Sequence, residues 1–426
     1  MQNKIYDLVG IGIGPFNLGL AAMLQDHSEI NAVFVDQKKS FDWHPGIALP
    51  WVRIQVPYFA DLVTLANPQS QFTYINYLKQ TQQLFRFGAQ ENIFPLRVEY
   101  NNYCKWVADQ LPDLIFSHRC EKITYHEQNN YYTVHCTHNN LCNKTFHAKR
   151  LVIGVGTVPC LPEGINLNHN IIHSGDYLNH KSEILQSKNV TIVGSGQSAA
   201  EIYYDLLQQA DQFSHLHWFT RSRHLAPMDY SRFALEMASP DYIDYFFSLP
   251  EKAKAEILAS QAYLYKGINR QLIEQIHDQL YIIDAQGGSF KPNIYTSLEL
   301  AGIQHVGKSL HLYFHHRDTG KQFTQTTGSV ILATGYQYKV PAFLKSIRDR
   351  INWNANGWFR VQKQYTVDDH QTIFVQNADL HSHGFNAADL GLGVHRNMDI
   401  INGLLKQDYY TIERNTTFQK LEPSIL

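Results

Sequence analysis

The stretch IYDLVGIGIGPFNLGLAAML, Ile5–Leu24, decides the fold of this 426-residue chain. A short apolar run leads into Gly10, Gly12 and Gly14, and apolar residues then recur with helical period. This pattern predicts a strand, a tight turn and a helix. Such a turn lets the backbone approach a pyrophosphate, and the following helix N-terminus offers it unpaired N–H groups. Pro15 stands where the G-x-G-x-x-G motif has its third glycine, so a tight turn without a ligand is the alternative.

The run INAVFVDQ, residues 30–37, is predicted to be the second strand of the same unit. Asp36 ends this strand, at the distance from the glycine turn where a carboxylate can accept hydrogen bonds from ribose hydroxyls. Asp36 and its neighbour Gln37 are therefore candidate nucleotide-binding residues.

A second glycine turn follows in NVTIVGSGQSAAEIYYDLL, residues 189–207. Gly194 and Gly196 again separate a predicted strand from a predicted helix. The next strand, LHWFTRSR, ends in Arg221 and Arg223 instead of an acid, which suits the 2′-phosphate of NADP(H). Arginines on a solvated loop are the alternative interpretation.

Two dinucleotide folds in one chain indicate a flavin and a nicotinamide, between which hydride passes. The runs RLVIGVGTVPCLP (150–162) and SVILATGYQY (329–338) are predicted to cross between the two domains, the second returning near Ala333 to Tyr336. The predicted fold class is α/β, with two Rossmann-like domains and a small helical insert. A disulfide reductase would need a redox-active cysteine pair, and the five cysteines include no C-x-x-C.

Composition limits the partners. A formal net charge of -2 gives no field that would gather nucleic acid or an anionic membrane surface. No apolar run reaches the roughly 18 to 20 residues of a membrane span, and the first apolar run leads into glycines, unlike a secretory signal. We therefore expect a cytoplasmic protein with reduced thiols, no stable membrane association and a small-molecule partner. The scattered histidines predict no metal site.

Seven segments in order resemble the class B flavin-dependent N-hydroxylating monooxygenases of siderophore biosynthesis, which include lysine and ornithine N-monooxygenases. They are GIGPFNLGLA, FDWHPGIALP, IQVPYFADLVTLANPQSQFTYINYLK, FPLRVEYNNYCKWVA, VGSGQSAAE, ATGY and HSHGFNAADLG. The resemblance implies that NADPH reduces FAD, that O2 adds to give a C4a-hydroperoxyflavin, and that a primary amine attacks it to become a hydroxylamine. It also implies a homo-oligomer, a tetramer or a dimer.

The resemblance assigns site residues by position. Gln55, in a strand-like run, would lie beside the flavin and the oxygen site, and Trp43 and His44 would lie against the flavin; these three are the catalytic candidates. Arg97 would shape the flavin edge. The full set of cofactor-binding candidates is Gly10, Gly12, Gly14, Pro15, Phe16, Asp36, Gln37, Trp43, His44, Gln55, Arg97, Gly194, Gly196, Gln197, Ser198, Arg221, Arg223, Thr334, Gly335 and Tyr336.

Three departures from the family pattern concern the substrate. Ala60 stands where the amino-acid hydroxylases have a lysine that pairs with the substrate carboxylate, and Leu235 stands where they have an asparagine. An uncompensated carboxylate in a closed pocket is costly to desolvate, so the substrate is predicted to lack one. Asp389 replaces glutamine or leucine and is a candidate partner for a distal ammonium; its alternative is a turn cap. Lys266 and His383 complete the substrate-binding candidates.

The predicted reaction is N-hydroxylation of a primary amine without an α-carboxylate, with putrescine or cadaverine favoured. Histamine, lysine and ornithine remain alternatives. A more remote alternative is an S-oxygenating or Baeyer–Villiger monooxygenase, because HSGDY (173–177) faintly resembles the fingerprint motif of those enzymes. Another is a non-enzymatic flavoprotein sensor.

The predicted domain division interrupts both nucleotide domains. The FAD domain takes residues 1–165 and 330–426. The NADPH domain takes 166–225 and 285–329. The helical substrate-binding insert takes 226–284, where helical periodicity is broken by prolines.

Overall fold

The structure, a computed structural model, describes residues 4–138, 142–288 and 290–422, without the side chain of Cys142. The strands are β1 Ile5–Ile11, β2 Ala32–Val35, β3 Leu114–Ile115, β4 His118–His126, β5 Tyr131–His138, β6 Cys142–Ile153, β7 Val158–Pro159, β8 Ile171–His173, β9 Asn189–Gly194, β10 His215–Phe219, β11 Asn293–Tyr295, β12 Leu298–Val306, β13 Ser309–His316, β14 Gln322–Thr327, β15 Ser329–Ala333, β16 Tyr336–Gln337 and β17 Ile373–Val375. The α-helices are α1 Pro15–Met23, α2 Tyr74–Gln80, α3 Leu84–Gly88, α4 Arg97–Ala108, α5 Tyr177–Gln186, α6 Gln197–Leu207, α7 Arg232–Leu235, α8 Pro240–Ser248, α9 Glu251–Ser260, α10 Arg270–Ala285, α11 Leu380–His383 and α12 Leu390–Leu405. Short 3₁₀ helices cover Leu24–Asp26, Pro45–Ile47, Ser174–Asp176, Ala210–Gln212, Ala262–Leu264, Ala342–Arg350 and Phe385–Ala388.

The first glycine turn belongs to a sheet of strand order β3-β2-β1-β6-β5-β4, with β17 also paired to β6. The strands β3, β2, β1, β6 and β17 pair in parallel, whereas β4, β5 and β6 form an antiparallel meander. α12 packs against α1 on one face of this sheet. The C-terminal segment therefore returns to the first nucleotide fold.

The second glycine turn belongs to a parallel sheet of order β11-β10-β9-β15-β8. An antiparallel sheet of β12, β13 and β14 packs its apolar side chains beside it. The parallel strands of both sheets, with their covering helices, confirm the predicted fold class.

The two predicted crossings meet. β7 and β16 form a two-stranded antiparallel sheet between the nucleotide folds. The predicted division at 329/330, however, falls inside β15, whose partners β8 and β9 lie in the second sheet. The chain leaves that sheet after Ala333, so the boundary belongs there.

The helical insert is shorter than predicted. Pro227 and Ile268 form a bridge that closes the excursion at its base, so residues 228–267 form the insert with α7, α8 and α9. α10, predicted to be part of it, packs on α6 with Leu272 and Ile276 in the core of the second nucleotide fold. Helical period alone cannot show which core an amphipathic helix covers.

Within the described ranges, no helix is long and apolar enough to cross a membrane. Over the same ranges, no three His, Cys, Asp or Glu side chains gather as they would around a metal ion. The thiols of Cys104, Cys120, Cys136 and Cys160 are free.

Candidate active site

The first glycine turn has the geometry of an anion-binding helix start. Gly14 is the N-cap of α1, and no side chain caps the helix N-terminus. A Cβ added at Gly14 would meet no atom within 4 Å, whereas at Gly12, with φ of 90°, it would lie 2.4 Å from the Gly154 carbonyl. The free N–H groups and open space at Gly14 suit a pyrophosphate, as predicted for FAD.

Asp36 lies next to this turn. One carboxylate oxygen accepts a hydrogen bond of 2.6 Å from the Ile13 backbone N–H, and the other accepts one of 2.7 Å from the Lys38 N–H. These bonds fix the carboxylate at the end of β2, and the lone pairs they leave can accept from ribose hydroxyls. Gln37 is exposed beside it.

The second glycine turn repeats the arrangement. Gly196 is the N-cap of α6, again without a side-chain cap, and Ser198 is in the first turn of this helix. The Gln197 side chain is committed to the protein: its amide donates to Glu201, and its oxygen accepts from the Asn269 N–H at 2.7 Å. Only its backbone is thus left for the cofactor contact predicted for it.

Lys266, a substrate candidate, lies at the nicotinamide turn instead of the amine site. Its carbonyl oxygen is 3.6 Å from a Cβ added at Gly196, and its exposed ammonium lies over the Tyr265 ring. A contact with cofactor phosphate suits this place better than one with the amine.

Arg221 and Arg223 line a cleft of about 370 Å³ together with Ser222, Arg317 and Asp318. Arg223 pairs with Asp318 at 2.9 Å. Arg221 and Arg317 share the Glu299 carboxylate at 3.6 and 3.9 Å. Three guanidinium groups thus meet two carboxylates, and the excess positive charge suits the 2′-phosphate of NADP(H). Arg317, from the β13–β14 hairpin, was missed because it is distant in sequence from the other two.

Trp43 and His44 begin an aromatic cluster at the junction of the two nucleotide folds. The His44 ring lies 5.0 Å from Trp43 and 5.9 Å from Tyr336, which lies 4.9 Å from His173. His44 has a φ of 49°, which is rare for a residue with a side chain. Burial, helped by Arg97, lowers the pKa of His44 to about 4, so its ring is neutral.

Thr334 and Gly335 are at the chain crossing. The Thr334 hydroxyl donates to the Cys160 carbonyl, and the Gly335 carbonyl accepts from the Cys160 N–H at 2.9 Å. The same carbonyl lies 3.0 Å from Nε2 of His173. Of the three predicted cofactor residues at this crossing, Thr334, Gly335 and Tyr336, it is Tyr336 whose ring contacts His44.

Arg97, predicted to shape the flavin edge, is bound by groups of the protein itself. Its guanidinium makes two hydrogen bonds of 2.9 and 3.0 Å to the fully buried Glu201 carboxylate on α6, and a third of 2.8 Å to the Ile47 carbonyl. With its donors committed in this way, Arg97 links the two nucleotide folds. Glu201 was not singled out from the sequence.

Gln55 lies in a bend, not in the strand-like run predicted for it. Its side-chain Nε2 is buried, as is the Tyr230 hydroxyl that faces it from the start of the insert. Burial raises the pKa of Tyr230 to about 12, and a hydrogen bond with Gln55 opposes this shift. Neither atom has another partner among the described residues, so both can turn to a ligand between the flavin fold and the insert.

Ala60 and Asp389 come together at Gly391. A Cβ added at Gly391 would lie 3.1 Å from the Ala60 methyl, 3.3 Å from Asp389 Oδ1 and 3.3 Å from Leu65 Cδ1. Asp389 also caps α12, since Oδ1 accepts from the Leu392 N–H at 3.0 Å. Burial raises the pKa of Asp389. The capping alternative is therefore present, and the backbone N–H groups of Gly391 and Leu392 both act on the carboxylate. A carboxylate has further lone pairs, which can accept from a substrate.

Two other substrate candidates end the short helices α7 and α11. Leu235 ends α7 and is 51% exposed. His383 is buried: its ring stacks on Tyr365, and its nitrogens lie 2.9 Å from the Ser382 hydroxyl and 3.3 Å from the Lys363 carbonyl. Burial lowers the pKa of His383 to about 4. This placement does not support the predicted contact of His383 with the amine.

Comparison with known proteins agrees with this geometry. Residues 4–338 match the model of the family described as L-lysine 6-monooxygenase/L-ornithine 5-monooxygenase. Putrescine N-hydroxylases of Shewanella oneidensis and Acinetobacter baumannii are 40% and 41% identical over 99% of this chain, covering 85% and 95% of their own lengths. The FAD-bound crystal structure of the cadaverine monooxygenase of Erwinia amylovora superimposes with a TM-score of 0.96, at 40% identity and 99% coverage of both chains. The chain therefore belongs to the L-lysine 6-monooxygenase/L-ornithine 5-monooxygenase family and is an NADPH-dependent flavin N-monooxygenase that uses FAD and O2.

Proposed function

We propose that this enzyme N-hydroxylates a diamine, putrescine or cadaverine, to a hydroxylamine for hydroxamate-type siderophore biosynthesis. The observation that carries the proposal is the Asp389 carboxylate beside the bare methyl of Ala60. A carboxylate with lone pairs left free by its cap attracts the distal ammonium of a diamine. A substrate carboxylate at the same place would face Asp389 with no lysine at position 60 to offset the repulsion.

The nearest cation does not change this balance. Arg396 lowers the pKa of Asp389 but does not overcome the effect of burial. Its guanidinium donates to the Gln376 side chain and the Ala387 carbonyl, and it pairs with Asp379 at 3.6 Å. Arg396 is thus held by its own buried partners. Asp389 is the charge that a diamine meets.

Bound FAD, reduced by NADPH, supplies the activation of O2. The residues of this chain would bind the two cofactors and orient the amine. The open turns at Gly14 and Gly196 suit the two pyrophosphates, and the arginine cleft suits the 2′-phosphate. Asp389 would hold the distal ammonium and so orient the proximal amine, which attacks through its lone pair after its proton has passed to solvent.

Gln55 and Tyr230 would face the reacting atoms. The Gln55 amide and the Tyr230 hydroxyl contact each other and have no other partner among the described residues. An amide nitrogen has two hydrogens, so each group still has one to offer an oxygen there. The insert and the aromatic cluster around His44 would exclude water from the same space.

Two expectations accompany this function. We infer a homo-oligomer, a dimer or tetramer, from the family resemblance. We also expect the enzyme to act in the cytoplasm, where NADPH is supplied. Light scattering on the purified protein tests the first expectation, and cell fractionation tests the second.

The deciding experiment measures hydroxylamine formed by the purified enzyme with FAD, NADPH and O2. The amines are putrescine, cadaverine, histamine, lysine and ornithine. We expect product from putrescine and cadaverine at the lowest amine concentrations. Preferred turnover of lysine or ornithine would refute the proposal, and preferred turnover of histamine would replace the diamine with a ring-bearing amine.

A further inference from the structure

The C-terminal segment 414–421 lies along the helical insert and is fastened to it by two carboxylates. Asp241, in the first turn of α8, accepts from the Asn415 N–H at 2.9 Å and from the Thr416 N–H at 2.7 Å. It also accepts from the Thr416 hydroxyl at 2.6 Å. Two backbone N–H groups and one hydroxyl of the tail therefore donate to this one carboxylate, and such bonds to a charged acceptor are strong.

Glu236, at the end of α7, repeats the arrangement. Its two oxygens accept from the Phe418 N–H at 3.1 Å and from the Gln419 N–H at 3.0 Å. The Gln419 amide donates in turn to the Phe233 carbonyl at 2.7 Å. Leu421 packs against the apolar cluster around Tyr242. The pKa of Glu236 is lowered by these N–H donors, as expected for a carboxylate that binds in its charged form.

The same insert faces the active site on its other side. Tyr230, two residues before α7, contacts the Gln55 side chain with its buried hydroxyl. The Met237 carbonyl, just after α7, accepts from the Asn386 side chain at 3.0 Å, three residues before Asp389. α7 is thus held between the tail and the two groups that the proposed reaction uses.

α7 cannot hold this place by itself. It has four residues, and Phe233 and Leu235 on it are 61% and 51% exposed. A helix of one turn is unstable without tertiary contacts. Its contacts with the tail are therefore a large share of what orders it.

We propose that the segment 414–421 is a strap that positions α7 and Tyr230 over the amine site, and that Glu236 and Asp241 are its positioning residues. The inference rests on the proposed function. The strap acts on amine binding and on retention of the oxidant, since both depend on closure of the insert over Gln55. Binding of NADPH at the second glycine turn does not depend on it.

The test compares the double variant Glu236→Ala/Asp241→Ala with wild type and with the control Glu256→Ala. Glu256 is an exposed carboxylate of the same insert, and its ion pair with Lys252 stays within α9. We expect faster hydrogen exchange at residues 229–238 in the double variant only. We further expect a KM for the diamine raised at least fivefold and hydroxylamine per NADPH reduced by half. Anaerobic reduction of FAD by NADPH should stay within twofold of wild type.

Three results would overturn the strap. The first is unchanged exchange, the second is faster exchange with unchanged KM and coupling, and the third is a fall in FAD reduction that matches the loss of amine turnover. If Glu236→Ala/Asp241→Ala does not fold, the variant Thr416→Val/Gln419→Ala takes its place. It removes side-chain donors of the same contacts at two exposed positions of the tail. If wild type yields no hydroxylamine from diamines, the proposed function fails; the strap is then judged on exchange and on the KM of whichever amine is turned over.

Discussion

The Arg97 guanidinium and the Glu201 carboxylate form a two-point ion pair between α4 of the flavin fold and α6 of the nicotinamide fold. Glu201 is fully buried, and Arg97 is 14% exposed. A third bond from Arg97 to the Ile47 carbonyl extends the contact to the segment that follows His44. The pair therefore sets the distance between the helix start that suits NADPH and the residues predicted to lie against the flavin.

Breaking this pair should destabilise the protein and slow hydride transfer. Glu201→Ala leaves a buried guanidinium without its partner, so we expect a loss of about 3 kcal/mol in the free energy of unfolding. FAD reduction by NADPH should slow at least tenfold, measured by stopped-flow absorbance. Arg270→Ala breaks only the exposed Arg270–Glu274 pair and should change stability by less than about 0.5 kcal/mol. Equal stability of both variants would contradict the role given to the pair.

A lysine at position 60 should not by itself produce an amino-acid hydroxylase. Ala60 and Asp389 flank the same point at Gly391, so the new ammonium would pair with Asp389. We expect Ala60→Lys to lose diamine turnover without gaining ornithine or lysine turnover. The triple change Ala60→Lys/Leu235→Asn/Asp389→Leu should gain it. Hydroxylamine assays with each amine decide; efficient ornithine turnover by Ala60→Lys alone would argue against the pairing.

Diamine binding should weaken as the pH falls. Burial raises the pKa of Asp389 above that of an ordinary carboxyl group, and only its ionised form attracts an ammonium. The KM for putrescine should therefore rise as the pH falls through the range of this raised pKa, which lies above that in which an ordinary Asp titrates. Asp389→Asn should have a higher KM that is flat over this range. A KM rise of the same size in this variant would assign the titration to another group.

The arginine cleft should select NADPH over NADH. Loss of a guanidinium contact to a phosphate costs about 1.5 to 3 kcal/mol. Arg221→Ala and Arg317→Ala should therefore each raise the KM for NADPH roughly tenfold to a hundredfold. The KM for NADH should stay within about twofold in both variants, since NADH has no 2′-phosphate. Equal effects on both nucleotides would place the 2′-phosphate elsewhere.

Asp399 should make stability fall as the pH rises. Burial raises its pKa to about 7, with Arg414 opposing and Asp244 adding to the shift. In the unfolded chain the value is near 3.9, so the stabilisation by the protonated form is complete below about pH 4 and lost by about pH 7. Asp399→Asn should be neutral at about pH 4 and stabilising by about 2 to 4 kcal/mol at about pH 8. Urea unfolding at both pH values measures this, with the exposed Asp349→Asn as the flat control.

The family, the two cofactors and the fold class were determined by the sequence alone. Each depends on local order: a glycine turn needs its strand before it and its helix after it, and both turns keep this order in Ile5–Met23 and Asn189–Leu207. The presence of Ala60 where the amino-acid hydroxylases have lysine is likewise visible in the sequence, without knowledge of the fold. Strand-turn-helix units of this kind are specified within about 30 residues of chain.

The tertiary structure decided the contacts between distant segments. Glu201 meets Arg97 across 104 residues, and Arg317 joins Arg221 from another sheet. It also decided that α10 covers the nicotinamide fold and that His383 is buried. Residue type and period show that a side chain is apolar or charged, but its partner depends on which surfaces the whole chain brings together. Burial then sets its charge, because the cost of desolvation depends on every neighbour at once.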